Sequence, residues 1–288
     1  MPCIYVNKPK GITSNSLCQK LKKYLNTSKI GHTGTLDPNA TGLMIVLFDE
    51  ATKANQFLLS DIKEYIAVVK IGIETDTLDL DGKIIRSNEL KMPSKDKIND
   101  VLTSFVKEYE QIPPLASAIK QNGKKLYEYL RNGQEVSPNP RKVKILSIEL
   151  LDIKDDEFSF KCRVSSGTYI RSLVRDILYE LNLFGVLKDL TRTRINDITL
   201  EDAYTLKDIE DGNYKVYSLY DVLSKRFMIY KTDNSKDIKD GKPIKLENYD
   251  DEVLIVDDNN DVLAVYRKDK DDYRCVRGLF WLRNIILI

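Results

Sequence analysis

Asp37 is the first residue whose setting invites chemistry. It lies in Gly31-His-Thr-Gly-Thr-Leu-Asp-Pro-Asn-Ala-Thr-Gly42, a stretch with three glycines, one proline and no apolar period, which reads as a loop. A carboxylate on a loop carried by regular elements is placed as catalytic groups commonly are. Asp-Pro also simply starts turns, and spacing alone favours that plainer reading. Asp76, Asp79 and Asp81 ahead of Gly82 suggest a cation loop. An EF-hand register would put Thr77 at the first ligand position and Asn88 where the bidentate Glu belongs. Both fail, and the run reads as a solvated turn. His32 is the single histidine; alone it builds no zinc site, though an imidazole there can orient a phosphate or a base. Tyr65 sits in a strand pattern, where aromatic rings usually fill a core. Arg171 lies in the first turn of a helix between Ile170 and Leu173. A buried arginine needs an anion, from an acidic side chain or a phosphate.

These residues need elements to hold them. CIYVNKPKG reads as a strand running into a Pro/Gly turn. Thr13 or Ser14 can cap a helix with Leu17, Leu21 and Leu25 on one face. LMIVLF reads as a buried strand, ATKANQFLLS as a helix, and EYIAVVKIGI as strongly β. Residues 95–107 are helical in pattern, and Lys124–Arg131 forms a short basic helix after a Pro-Pro turn. KVKILSIELLDI and EFSFKCRVSS alternate as a half-buried antiparallel pair would, and SGTYIRSLVRDILYELN becomes an amphipathic helix. Beyond Ser224–Phe227, where a domain boundary is expected, come short strands: IYK, PIKL, EVLIV, VLAVYRK and YRCVRGLFWL. DDNND between EVLIV and VLAVY is a hairpin signal.

A chain of 288 residues, 42% hydrophobic and 31% charged, can bury one large or two moderate cores. Ordinary apolar content and a net charge of +1 exclude general disorder. Apolar runs such as Leu43–Phe48 are too short for a membrane helix, and MPCIYVNKPKGITS lacks a signal-peptide core. Cys3, Cys18, Cys162 and Cys275 form no CxxC, so the expectation is a reduced, cytoplasmic, metal-free soluble protein. The balance of 45 Lys+Arg against 44 Asp+Glu argues mildly against a nucleic-acid partner, but it averages opposites. Residues 1–60 hold seven Lys against three acids, and residues 120–145 seven bases against two acids. Residues 236–272 reverse this with twelve acids against seven bases.

Lys8-Pro-Lys-Gly-Ile-Thr-Ser14 and the Gly31–Gly42 loop closely resemble two signature motifs of the TruB family of tRNA pseudouridine synthases. Lys63-Glu-Tyr65 leading to Thr75-Asp-Thr77, then Ser166-Gly-Thr-Tyr-Ile-Arg171, resemble its later motifs in the same order. QNGKKLYEYLRNG resembles the basic insertion with which bacterial members grip the tRNA arm. The resemblance covers residues 2–225. It implies an α+β fold: a catalytic domain over 1–225 with a mixed, mainly antiparallel sheet, flanking helices and an RNA-gripping insertion at 111–140. Asp240-Gly-Lys-Pro-Ile-Lys245 and the strands after it resemble a small β-barrel-like PUA domain, here short and acidic, over 226–288. That segment either packs against the catalytic domain or touches RNA only through Lys242, Lys245 and the Arg274/Arg277 edge.

The same resemblance implies an activity: uridine 55 of the tRNA T-loop becomes pseudouridine, without metal or cofactor. Asp37 matches the catalytic aspartate, which either attacks the nucleotide covalently or assists cleavage through a glycal-like intermediate. Arg171 matches the active-site arginine, an opposite charge that would lower the pKa of Asp37. Tyr65 matches the ring that stacks on the flipped uracil, and Leu190 an apolar position of the pocket. Tyr169 would support Arg171, His32 would contact the vacated stack, and Lys8 would shape the wall near RNA. Lys124 and Lys125 would grip the T-arm. A monomer is expected. The alternatives are a guide-RNA-dependent synthase subunit, disfavoured by the basic insertion, and an RNA-folding module without catalysis, disfavoured by Asp37, Tyr65 and Arg171 together.

Overall fold

Alternation decides the strands and period the helices. The computed structural model describes residues 2–59 and 61–280, which divide into two units. One comprises Met1–Pro38, Met44–Leu59 and Asp202–Ile288, the other Asn39–Leu43 and Ser60–Glu201.

The first unit opens with β1 (Pro2–Lys8), buried along Cys3–Val6. Helix α1 (Ser14–Tyr24) follows, capped where Thr13 Oγ1 accepts from Ser16 N at 2.9 Å. Its Leu17, Cys18 and Leu21 are buried. β2 (Ile30–His32) pairs antiparallel with the far end of β3 (Thr41–Phe48), so Ile30 faces Phe48 and His32 faces Val46. Gly31 and His32, expected in the loop, therefore belong to a strand; the pairing that makes it is tertiary and leaves no periodic trace. A 3-10 helix over Asp49–Phe57 stands where a helix was expected.

The second unit contains β4 (Lys63–Ile71), β5 (Ile73–Thr75), β6 (Ile84–Ser87), α2 (Lys95–Ser104) and β7 (Glu108–Gln111). The short β8 (Lys120–Gln121), β9 (Lys124–Lys125) and α3 (Leu126–Arg131) precede β10 (Arg141–Lys154), β11 (Glu157–Val164), α4 (Ile170–Glu180), β12 (Gly185–Ile195) and β13 (Ile198–Thr199). β12, β4, β11, β10 and β7 lie side by side, each pair antiparallel. β4, flanked by β12 and β11, alternates without a break: Lys63, Tyr65, Ala67, Val69 and Ile71 are buried. α4 turns Ile170, Leu173, Val174, Ile177 and Leu178 inward.

On the far side of β12, Thr41 and Gly42 of β3 pair in parallel with Thr191 and Arg192. Gly42 has φ +106, and a Cβ there would collide with the Arg192 backbone. Only glycine satisfies both the left-handed backbone and the close approach. The pairing of β12 with β4 slips by one residue between Leu187 and Asp189, and again between Arg192 and Arg194.

The remainder of the first unit carries α5 (Leu206–Glu210), β14 (Tyr217–Ser218) and α6 (Leu219–Leu223). β14 pairs with β1, Pro2 opposite Ser218. Then come β15 (Met228–Lys231), α7 (Ser235–Lys239), β16 (Glu252–Val256), β17 (Val262–Asp269) and β18 (Asp272–Gly278), with β15 to β18 in one four-stranded sheet. The DDNND hairpin joins β16 to β17 as expected. Tyr266 and Tyr273 are buried beneath this sheet with their hydroxyls donating to Lys242 O and Tyr249 O. Among the described residues the sheet is not closed. PIKL forms no strand; only Ile244 bridges to Tyr273. The last residues of the expected YRCVRGLFWL strand, from Trp281, lie outside the described residues. The whole is α+β and mainly antiparallel, and among the described residues no helix is long and apolar enough to cross a membrane.

Candidate active site

In the first unit, the loop carrying half-buried Asp37 is held from beneath by a lysine. Lys8 is 0% exposed at the end of β1. Its Nζ donates to Pro9 O at 3.0 Å, Ile12 O at 2.7 Å and Pro38 O at 2.9 Å. A buried ammonium is tolerated when its donors are used, and here they tie the Pro/Gly turn to the residue after Asp37. Gly11 N donates to the same Pro38 carbonyl at 2.9 Å. Ser14 Oγ, at the head of α1, bonds both Leu36 O and Leu36 N at 2.9 Å. Asp37 is thus fixed through both its neighbours. Lys8, expected to shape the wall, is fully buried and holds the loop through these carbonyls.

In the second unit, Arg171 is the organising charge. It is 5% exposed. Nη1 donates to Thr77 O at 2.9 Å, Nη2 donates to Ala116 O at 3.0 Å, and Asp79 Oδ2 lies 3.3 Å from Nη1. The anion that a buried arginine requires therefore includes Asp79, from the run read as a solvated turn. That reading is corrected in part. The segment is a turn, with Asp76 Oδ1 accepting from Lys83 N at 2.8 Å and Thr77 Oγ1 donating to Asp79 Oδ1 at 2.6 Å. It is nevertheless drawn inward by Arg171 and docked on β12, where Leu187 N donates to Leu78 O at 3.0 Å.

Tyr65 and Leu190 share a face. Tyr65 is 7% exposed on β4 and stands opposite Arg192 of β12 and Cys162 of β11. Leu190 stands opposite Ala67, the next residue on the same side of β4. Arg192, missed by the sequence reading, is 1% exposed and donates from Nε to Leu43 O at 2.6 Å. Its place on the face of Leu190, two residues on, was the available signal.

Tyr169 is the N-cap residue of α4, and its backbone N donates to Gln111 Oε1 at 2.9 Å. Gln111 Nε2 donates to Tyr109 Oη at 2.7 Å, and Tyr109 donates in turn to Asp176 Oδ2 at 3.3 Å. Burial raises the Asp176 carboxyl pKa above its ordinary value and does the same to the Tyr109 phenol. Nothing in the sequence distinguished Gln111 or Tyr109.

The basic insertion opens as a hairpin. Asn122 at φ 52 and Gly123 at φ 80 give both central residues the positive φ of a type I′ turn. Lys124 Nζ sits 5.9 Å from the Tyr129 ring centroid and Lys125 Nζ 5.4 Å from that of Tyr127. These contacts lie within cation–π range and hold the two charges on a short surface element.

This sheet, its flanking helices and the appended small sheet define the class as a pseudouridine synthase fold. A chain in a structure of an H/ACA RNP bound to a substrate RNA containing 2′-deoxyuridine is similar with a TM-score of 0.73, over 98% of this chain and 86% of that one, at 23% identity. The model of the N-terminal domain of TruB family pseudouridylate synthases matches residues 22–170. The tRNA pseudouridine synthase B of Mesoplasma florum is 37% identical over 278 residues, 96% of each chain. That of Mycoplasma capricolum subsp. capricolum is 40% identical over 279 residues, 95% of each. The chain belongs to the TruB family of pseudouridylate synthases, and it is an isomerase.

Proposed function

We propose that the protein converts uridine 55 in the T-loop of tRNA to pseudouridine, acting alone on the T-arm. Two domains would share the work: 1–225 for catalysis, and 226–288 as a short PUA-like appendage. Support comes above all from the likeness to tRNA pseudouridine synthase B over 96% of both chains, joined to a hairpin that presents Lys124 and Lys125. The reaction breaks N1–C1′, rotates the uracil and joins C5 to C1′; the proton lost from C5 is balanced by one gained at N1. The target base must leave its stack, at a few kcal/mol. Stacking on Tyr65 would return roughly 1–3 kcal/mol, with Leu190 limiting water and wrong base orientations. Asp37 acts on the sugar or base as the ionised carboxylate, Arg171 is the cation of the site, Tyr169 supports it, and His32 contacts the vacated stack. In the appendage Lys242 is paired with Asp237 at 2.6 Å and Arg274 with Asp269 at 2.8 Å, so two of the four basic side chains expected to touch RNA there are engaged by carboxylates.

The deciding experiment incubates the protein with an unmodified tRNA transcript and maps pseudouridine chemically. Modification at position 55 without added guide RNA is the expected result; modification only with a guide, or at another position alone, would overturn the proposal. A companion experiment titrates salt. Replacing both Lys124 and Lys125 by Glu is expected to weaken tRNA binding and to lower the slope of log K against log salt by about two, since each phosphate contact contributes nearly one. An unchanged slope would remove the hairpin from the RNA interface.

A further inference from the structure

The segment between β7 and the basic hairpin is a strap stitched to the first turns of α4. Ser172 Oγ donates to Ile112 O at 2.8 Å, Arg175 Nη2 donates to the same carbonyl at 3.1 Å, and Arg171 Nη2 donates to Ala116 O at 3.0 Å. Pro113 and Pro114 lie buried between these attachment points. Two consecutive prolines fix φ and press the residue before them into extended backbone, so the strap is stiff. A displacement at one end is carried to the other instead of being absorbed. At the far end Leu126 N donates to Ile119 O and Tyr127 N to Ser117 O, which joins the strap to the helix of the insertion.

At the near end stands Gln111, 1% exposed. Both ends of its amide are committed. Oε1 accepts from Tyr169 N, at the cap of the helix that carries Arg171, and Nε2 donates to Tyr109 Oη, which donates to Asp176. Asp176 Oδ1 is gripped by Arg175 Nη2 at 2.7 Å. The donor directions agree along the chain, amide to phenol to carboxylate, so the glutamine is locked in one orientation. Arg171 meets the strap at the Ala116 carbonyl, and that carbonyl's place is set by where the strap begins.

We propose that Gln111 is a positioning residue for Arg171: by tying the strap to the cap of α4 it sets where the Ala116 carbonyl stands, and so where the guanidinium points. The inference rests on the reading of Arg171 as the cation of the active site. An ångström of misplacement far from the chemistry is enough to slow it, while substrate binding elsewhere is left alone.

The test measures kcat and KM on an unmodified tRNA transcript for Gln111→Met, which keeps length and loses both hydrogen bonds. The expected result is a fall in kcat of about tenfold with KM within about threefold, the signature of an interaction felt in the transition state. In an Arg171→Lys background, itself slow because lysine cannot reproduce the fork, the same change should alter kcat by less than about twofold, since coupled residues are not additive. An unchanged kcat in the parent, or an equal fall in both backgrounds, would overturn the role of Gln111 and leave Arg171 untouched. Full turnover by Arg171→Lys would instead sink the reading of Arg171, and the inference with it. Should Gln111→Met fail to fold, Tyr109→Phe removes only the hydroxyl that anchors the amide. It should lower kcat about threefold in the parent and not in the lysine background; no fall in the parent would refute the inference.

Discussion

Asp37→Asn is expected to abolish pseudouridine formation while tRNA affinity stays within about tenfold, or about 1.4 kcal/mol. The asymmetry follows from what the substitution changes. Asparagine has nearly the same shape, so the loop should survive. Its anchors are Lys8 Nζ and Gly11 N on the Pro38 carbonyl and the Ser14 hydroxyl on Leu36, none of which uses the Asp37 side chain. What is lost is the negative charge, and both chemical routes open to the reaction require it. Single-turnover assays on a uridine-containing transcript, beside filter binding, separate the two quantities. Normal turnover by the variant would remove Asp37 from the mechanism.

Asp79→Ala should carry the next largest effect, and it should be visible in both stability and rate. Removing the carboxylate leaves a guanidinium 6% exposed with carbonyls and less compensating charge. Breaking a buried pair costs several kcal/mol; discounted for the 19% exposure of Asp79, a loss of about 2 kcal/mol is expected. Thr77 Oγ1 and Asp81 N lose their acceptor as well, so the turn that offers Thr77 O to Arg171 loosens. A fall in turnover of about a hundredfold should follow from the displaced arginine. Asp79→Asn, which keeps an acceptor oxygen, should melt nearer the parent and still turn over slowly. Thermal unfolding and single-turnover rates check both, and parental values for Asp79→Ala would show that Arg171 needs no carboxylate from this turn.

The sequence made some of this legible and hid the rest for physical reasons. β4 announced itself because its buried positions alternate from Lys63 to Ile71, and α4 because its apolar residues recur at helical spacing up to Leu178. The family was legible in short motifs, which specify backbone shapes and chemistry together. Partnerships were not. Arg171 and Thr77 lie 94 residues apart, and no local pattern announces that an acidic turn will supply a counter-ion. Lysine is usually exposed, so nothing local announces the burial of Lys8; only the carbonyls of Pro9 and Ile12 meeting that of Pro38 make it tolerable. Gln111 gave no signal, since a glutamine before two prolines looks like any turn residue until the cap of α4 meets it.

The two slips in β12 have a consequence for how this protein can change. Leu187 faces Val69, yet Leu190 faces Ala67 and Arg192 faces Tyr65. Were Lys188 paired with Val68 instead of bulging, Asp189 would stand over Ala67 and Leu190 would be turned to the opposite face. The second slip, at Thr193, brings Arg194 against Glu64 and restores the original phase. Asp189 to Arg192 thus form a short inverted block, a frame shifted once and then shifted back. Conservative substitutions within the block leave its orientation intact, whereas one deletion anywhere between the slips turns residues of the block over. Drift in sequence is therefore open to this strand, and drift in length is closed.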